Sequence, residues 1–118
     1  MSDLPILDPQ PLQDLLDLGA SDDLVQELLG IFKEDVPPRI TVLKAALAAG
    51  DVGVTMREAH QLKGALGNMG LIRFGDLAAR IEACAREGQL KAAAALAEGL
   101  PVAYDEALQA LLTAFPES

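Results

Sequence analysis

Apolar residues recur three or four positions apart through almost the whole chain, and a Gly or an Asp stands at most places where the recurrence resets. That spacing is the signature of amphipathic helices. No segment alternates with period two over any length, so no sheet is expected. Asp8 is placed to cap a short first helix with Pro9 at its first position, running through "PQPLQDLLDL" to Gly19. A second helix, capped by Ser21 or Asp22, carries Leu24, Leu28, Phe32, Val36, Ile40, Leu43 and Leu47 on one stripe and ends at Gly50. Pro37 and Pro38 fall inside it, and because the stripe continues in phase a kink rather than a break is predicted. Asp51 caps a third helix with the stripe Val52, Met56, Ala59, Leu62, Leu66 and Met69, stopped by Gly70. The fourth carries Phe74, Leu77, Ala78, Ile81 and Cys84 and ends near Gly88. A last helix is predicted from about Leu90 to Phe115, irregular at Gly99 and Pro101. Short connections between long amphipathic helices imply antiparallel neighbours. The fold class predicted is therefore all-α, an antiparallel up-down four-helix bundle with a short additional N-terminal helix. One domain is expected over residues 1–118.

Composition narrows the partners. The chain is rich in Ala and Leu, has 3% aromatic residues and no Trp, a balance that favours helices. A formal net charge of -9 lacks the basic footprint that phosphate backbones require, so nucleic acid is not an expected partner. The N-terminal "MSDLPILDPQ" has neither a basic n-region nor an apolar h-region, and no stretch reaches the length of an uncharged membrane span. A single cysteine, Cys84, allows no internal disulfide and no cysteine cluster for zinc. A reducing, cytoplasmic setting and no membrane partner are expected, with no cofactor and no metal. Cys84 lies in an apolar stripe with no cation cluster beside it, which reads as a structural thiol. The carboxylates Asp14, Asp17, Asp22, Asp23, Glu27, Glu34 and Asp35 read as solvated faces.

The chain holds one histidine, His60, within "EAHQLKGALGNMG". On a wheel of 100° per residue, the apolar stripe of the third helix centres about 120° from His60, at the edge of the buried face or outside it. Gly53, Arg57, Lys63, Gly64 and Gly67 share His60's side. Arg57 and Lys63 stand at i−3 and i+3, within a side chain's reach of the ring. Each glycine costs a helix about 1 kcal/mol against alanine. Stripped of side chains, this face lets something approach the imidazole closely, and the two cations suit an anion placed on it. Phosphoryl acceptance on a ring nitrogen fits that arrangement, with Lys63 against the phosphate oxygens. A plain surface histidine, glycines that let helices pack and a solvated lysine account for the same residues singly.

"AHQLKGALGNMG" resembles the phosphorylation motif of histidine-containing phosphotransfer (HPt) domains of two-component phosphorelays. His60, Leu62, Lys63, Gly64, Ala65 and Gly70 match it in register. "DLAARIEACAREG", with its apolar-Glu pair Ile81-Glu82, and "IFKEDVPPRITVLKAALAAGD" resemble the family's neighbouring helices, so that the likeness runs from about Leu7 to Leu112. The resemblance implies that His60 is the phosphoacceptor, relaying a phosphoryl group between receiver-domain aspartates, and that Lys63 stabilises the phosphate. It also implies that Gly64 leaves room for the incoming aspartyl-phosphate domain and that Gln61 flanks the ring on its solvent side. Docking is expected around His60, including Arg57 and Gly67, and on the apolar edge of the second helix, where Phe32 and Val36 are expected to contribute a small hydrophobic patch. The partners implied are response-regulator receiver domains and a hybrid sensor histidine kinase, with the protein itself a monomer. The chain has no P-loop, no G-x-G-x-x-G after a strand and no nucleophile elbow, so the phosphate must come from another protein and no independent enzyme activity is expected.

Two other functions are weighed. A helical binding module for receiver or kinase domains that never carries phosphate has the intact His60-Lys63-Gly64 set against it. A metal-dependent hydrolase in a helical bundle has the single histidine against it.

Overall fold

The longest element is a helix, and it sets the length of the molecule. In the computed structural model, which describes residues 3–19 and 22–116 apart from the Asp22 side chain, six helices follow one another and no strand occurs among the described residues. They are α1 (Gln10–Asp17), α2 (Asp22–Ala48), α3 (Val52–Asn68), α4 (Ile72–Arg86), α5 (Leu90–Ala97) and α6 (Leu100–Ala114). The 27 residues of α2 account for most of the 44 Å long axis, since each residue adds about 1.5 Å. The helix runs unbroken through Pro37 and Pro38. The Thr41 hydroxyl donates to the Pro37 carbonyl at 3.2 Å, and Pro37 and Pro38 are themselves exposed, their rings on the solvent side.

The predicted stripe of α2 holds from Phe32 onward: Phe32, Val36, Ile40, Leu43 and Leu47 are buried. Its first turns are rotated by one residue. Val25 and Leu29 are buried, whereas Leu24 is exposed and Leu28 only half-buried. The reason is tertiary. This end of α2 faces α1 and the C-terminal Phe115, and Gln26 Nε2 donates to the carbonyls of Phe115 and Pro116 at 3.4 and 3.1 Å. The cap expected at Ser21 or Asp22 lies outside the described residues.

In α3 the cap is as predicted: Asp51 Oδ1 accepts from the Val54 N–H at 3.0 Å. Ala59, Leu62 and Leu66 are buried, but Thr55 takes the inward position assigned to Met56, and Val52 is exposed. The Thr55 hydroxyl donates to the Asp51 carbonyl at 2.7 Å, so its burial strands no polar group. Gly70 ends α3 at φ +76. Its N–H donates to Gly67 O and the Leu71 N–H to Leu66 O, both at 3.0 Å, a Schellman turn whose left-handed residue favours glycine. The Gly70 carbonyl also accepts from the Asp8 N–H at 2.8 Å, and the Arg73 N–H and Nε donate to the carbonyls of Pro5 and Leu4. The N-terminal segment is thereby laced to the α3–α4 turn. Its helix α1 starts at Gln10, one residue later than predicted, with Asp8 Oδ1 accepting from the Gln10 N–H at 3.0 Å.

The predicted last helix is two. α5 ends at Ala97, and α6 restarts at Leu100 with Gly99 at its N-cap. Pro101 stands in the first turn of α6, where its missing N–H leaves no intrahelical bond unmade. Residues 49–51, 69–71 and 87–89 connect α2 to α3, α3 to α4 and α4 to α5, and α2 and α4 each pack against α3, α5 and α6. Leu12, Leu43, Leu66, Phe74, Ile81 and Leu111 are fully buried between them, each contributing about 1.5–3 kcal/mol over exposure. Phe32 of α2 stacks on Tyr104 of α6 with ring centroids 5.2 Å apart.

Candidate functional site

The tight α3–α4 turn folds the middle of α3 onto the far half of α4, and this brings His60 to Glu82. The imidazole is exposed, its side chain 66% accessible, while the Glu82 side chain is 6% accessible. Nδ1 lies 2.9 Å from Glu82 Oε2. An ionised carboxylate only accepts hydrogen bonds, so a neutral His60 must carry its proton on Nδ1 and leave the Nε2 lone pair free. Lys63 Nζ donates to Glu82 Oε1 at 3.0 Å, and the Arg86 guanidinium pairs with Glu82 Oε2 at 3.2 Å, one turn along α4. Burial by itself would push the Glu82 carboxyl up, but hydrogen bonds from Lys63 and His60 and their charges together outweigh it, and it is held below the usual value. The buried carboxylate is therefore an anion that orients the ring.

The surroundings of His60 are open. A hollow of 520 Å³ is lined by Gly53, Arg57, His60, Gln61, Glu82 and Arg86. A Cβ built on Gly64 or Gly67 would meet nothing within 4 Å, and one on Gly53 only the Asp51 side chain at 3.8 Å. These glycines are not where another helix packs; they keep the His60 side of α3 bare. Gln61 is exposed and its Oε1 accepts from Arg39 at 3.4 Å, a contact from α2. Arg57 is exposed and pairs loosely, at 4.0 Å, with Glu58. A second depression, of 250 Å³, lies between α2 and α3 and includes Ile31, Phe32, Asp35, Val36, Ala65 and Met69 in its lining.

A family model described as the Hpt domain matches residues 27–115. The chain belongs to the Hpt family. It is also similar to the crystal structure of histidine-containing phosphotransfer protein B (HptB) from Pseudomonas aeruginosa PAO1, at 30% identity over 96% of each chain with a TM-score of 0.84. No curated protein gives a significant match. Membership makes this a phosphotransfer protein of a phosphorelay, with receiver domains and kinases as the partner classes.

Against that family background, Gly53, Arg57, Lys63, Gly64 and Gly67 share one side of α3 with His60, as the wheel predicted, and Gln61 lines the same hollow. One expectation needs correction. Phe32 and Val36 are not an exposed patch: they are 3% and 5% accessible. Phe32 turns inward to stack on Tyr104, and Val36 follows one turn later on the same face. The apolar side chain that this edge of α2 does expose is Ile31. Two site residues, Glu82 and Arg86, were not assigned a role from sequence. Their signals were present. Glu82 is a carboxylate inside the apolar stripe of α4, next to Ile81, and Arg86 stands at i+4 from it. Cys84, predicted as structural, is partly buried against the core.

Proposed function

We propose that His60 Nε2 is the phosphoacceptor. The observation that carries this reading is the contact of Nδ1 with the buried Glu82 carboxylate, which in the neutral ring puts the proton on Nδ1 and the lone pair on Nε2, on an exposed side chain. The Nε2 lone pair forms the N–P bond to the phosphoryl group of a receiver's aspartyl phosphate while the P–O bond breaks and the aspartate carboxylate leaves. The Nδ1 proton stays on the ring, and Glu82 stabilises the positive charge the ring acquires. Lys63 is the phosphate-stabilising cation, one turn from His60 with its amine beside the same carboxylate. Gly64 and Gly67 give the partner access, supported by the open space at both, and Gln61 and Arg57 border the approach.

The architecture that serves this role is a single domain, 1–118, in which α2, α3, α4 and the broken pair α5–α6 form an antiparallel up-down four-helix bundle and α1 is the additional N-terminal helix. The protein has no catalysis of its own; the receiver brings the aspartate and its machinery. It works as a monomer in the cytoplasm, and its net charge of -9 keeps it from nucleic acid.

The test is transfer from a phosphorylated receiver domain. Wild type should take up acid-labile label, and His60→Gln should take up none while remaining folded. Label retained by His60→Gln, or label that resists mild acid, rejects the assignment.

A further inference from the structure

Glu82 holds two cations as well as the imidazole. One buried carboxylate takes Lys63 on Oε1 at 3.0 Å, and both the imidazole Nδ1 and the Arg86 guanidinium on Oε2, at 2.9 and 3.2 Å. One cation and the imidazole already give each oxygen a partner, and the second cation shares Oε2 with the imidazole, within the roughly four lone-pair sites of a carboxylate. The second cation also sits differently. Lys63 comes from α3, one turn beyond His60, whereas Arg86 comes from the last turn of α4 and lines the hollow around the ring. Lys63 faces a conflict if it is to serve a phosphoryl group on Nε2. Leaving Glu82 for the phosphate would take one cation from a buried anion and, without Arg86, leave the ring alone to balance it, and a buried charge that loses a partner is destabilised.

We infer that Arg86 is a standby counter-ion: it neutralises Glu82 when Lys63 swings to the phosphoryl oxygens, and so makes Lys63 available to phosphohistidine. Arg86 is then a positioning residue that acts through Glu82 without touching phosphate. The charged groups facing the ring are Lys63 and Arg57 from α3, Glu82 and Arg86 from α4, and, through Gln61, Arg39 from α2. Among them only Lys63 and Arg86 pair with the carboxylate that orients the ring, so the exchange needs no other group to move. The inference rests on His60 as phosphoacceptor and on Lys63 as its phosphate ligand.

Phosphohistidine lifetime gives a readout that needs no partner protein. Loss of the phosphoryl group runs through a loose transition state in which the phosphoryl oxygens carry less negative charge than in the ground state, so a cation on those oxygens prolongs the phosphorylated state. Wild type, Lys63→Ala, Arg86→Ala, Glu82→Gln and the double variant Glu82→Gln/Arg86→Ala are phosphorylated with phosphoramidate, and the half-lives are followed by phosphorus NMR. Lys63→Ala should shorten the half-life by about tenfold, the scale of one charge-assisted hydrogen bond. Arg86→Ala should shorten it similarly although Lys63 is intact, because Lys63 is then pinned to Glu82. With the anion gone in Glu82→Gln, Lys63 is no longer pinned, and adding Arg86→Ala should change the half-life by less than about twofold. A wild-type half-life in Arg86→Ala overturns the inference. So does an Arg86→Ala effect of equal size in both backgrounds, which would put the guanidinium on the phosphate itself. Failure of the underlying reading is recognised separately, as a half-life unmoved by Lys63→Ala or a His60→Gln protein that still becomes phosphorylated.

Discussion

Glu82 accepts from an imidazole, an ammonium and a guanidinium at once, and most of the chemistry of the site follows from where its proton is not. Its folded state holds a proton less tightly than the unfolded chain does. The stability this contributes is complete above the ordinary carboxyl value of 4.5 and is lost as the pH falls through the lower folded value. Urea unfolding from neutral pH down through that range should therefore show wild type losing stability faster than Glu82→Gln, the gap between them narrowing in acid. A constant gap would mean that the carboxylate is not stabilised by its partners. Lys63 is 40% accessible and Glu82 keeps His60 and Arg86 when it is removed. Lys63→Ala should thus cost under about 1 kcal/mol of stability while impairing the phosphorylated state, a split that unfolding and transfer assays separate. A parallel loss of both would make Lys63 a structural residue.

At the scale of the helix, the glycines in α3 and in the turn that ends it divide into two kinds. Gly64 sits on an exposed turn with open space at its Cβ position. Gly64→Ala should raise stability by up to about 1 kcal/mol. Gly64→Gln should stay folded but block transfer, because its side chain occupies the approach to His60. Gly70 is the reverse case: its φ is +76, and a Cβ there would collide with the Asp8 carbonyl. Gly70→Ala should cost at least the ~1–2 kcal/mol of a left-handed alanine, and more for displacing the N-terminal segment. Thermal unfolding of the three variants ranks them, and a destabilised Gly64→Ala would mean that the site's bare face is a packing surface. The sequence carried these distinctions unevenly. The bare face around His60 and the caps at Asp51 and Gly70 were readable because a helix wheel and cap chemistry are local. The phase of α2 was not: Leu24-Leu28-Phe32 and Val25-Leu29-Phe32 are equally regular stripes, and only α1 and Phe115, distant in sequence, decide between them. Phe32 and Val36 were rightly put on the apolar stripe but wrongly given a share in docking, since periodicity marks a side of a helix but not what covers it. Glu82 as the partner of His60, and Arg86 through it, required knowing how α3 folds back on α4.

For the whole molecule, net acidity and local function pull in opposite directions. The formal net charge is -9, yet four of the nine Lys and Arg residues, Arg39, Arg57, Lys63 and Arg86, gather around His60 or its neighbour Gln61. The helices serve as a rigid frame that holds one carboxylate against one imidazole and leaves the other face of the ring to a partner. The central claim is therefore about a single atom, and the most direct measurement of it is nitrogen and phosphorus NMR on the protein phosphorylated with phosphoramidate. The account predicts one phosphohistidine, at His60, with phosphorus coupled to Nε2 and the proton retained on Nδ1. Phosphorus on Nδ1, or a phosphorylated protein with an unmodified His60 ring, would contradict it.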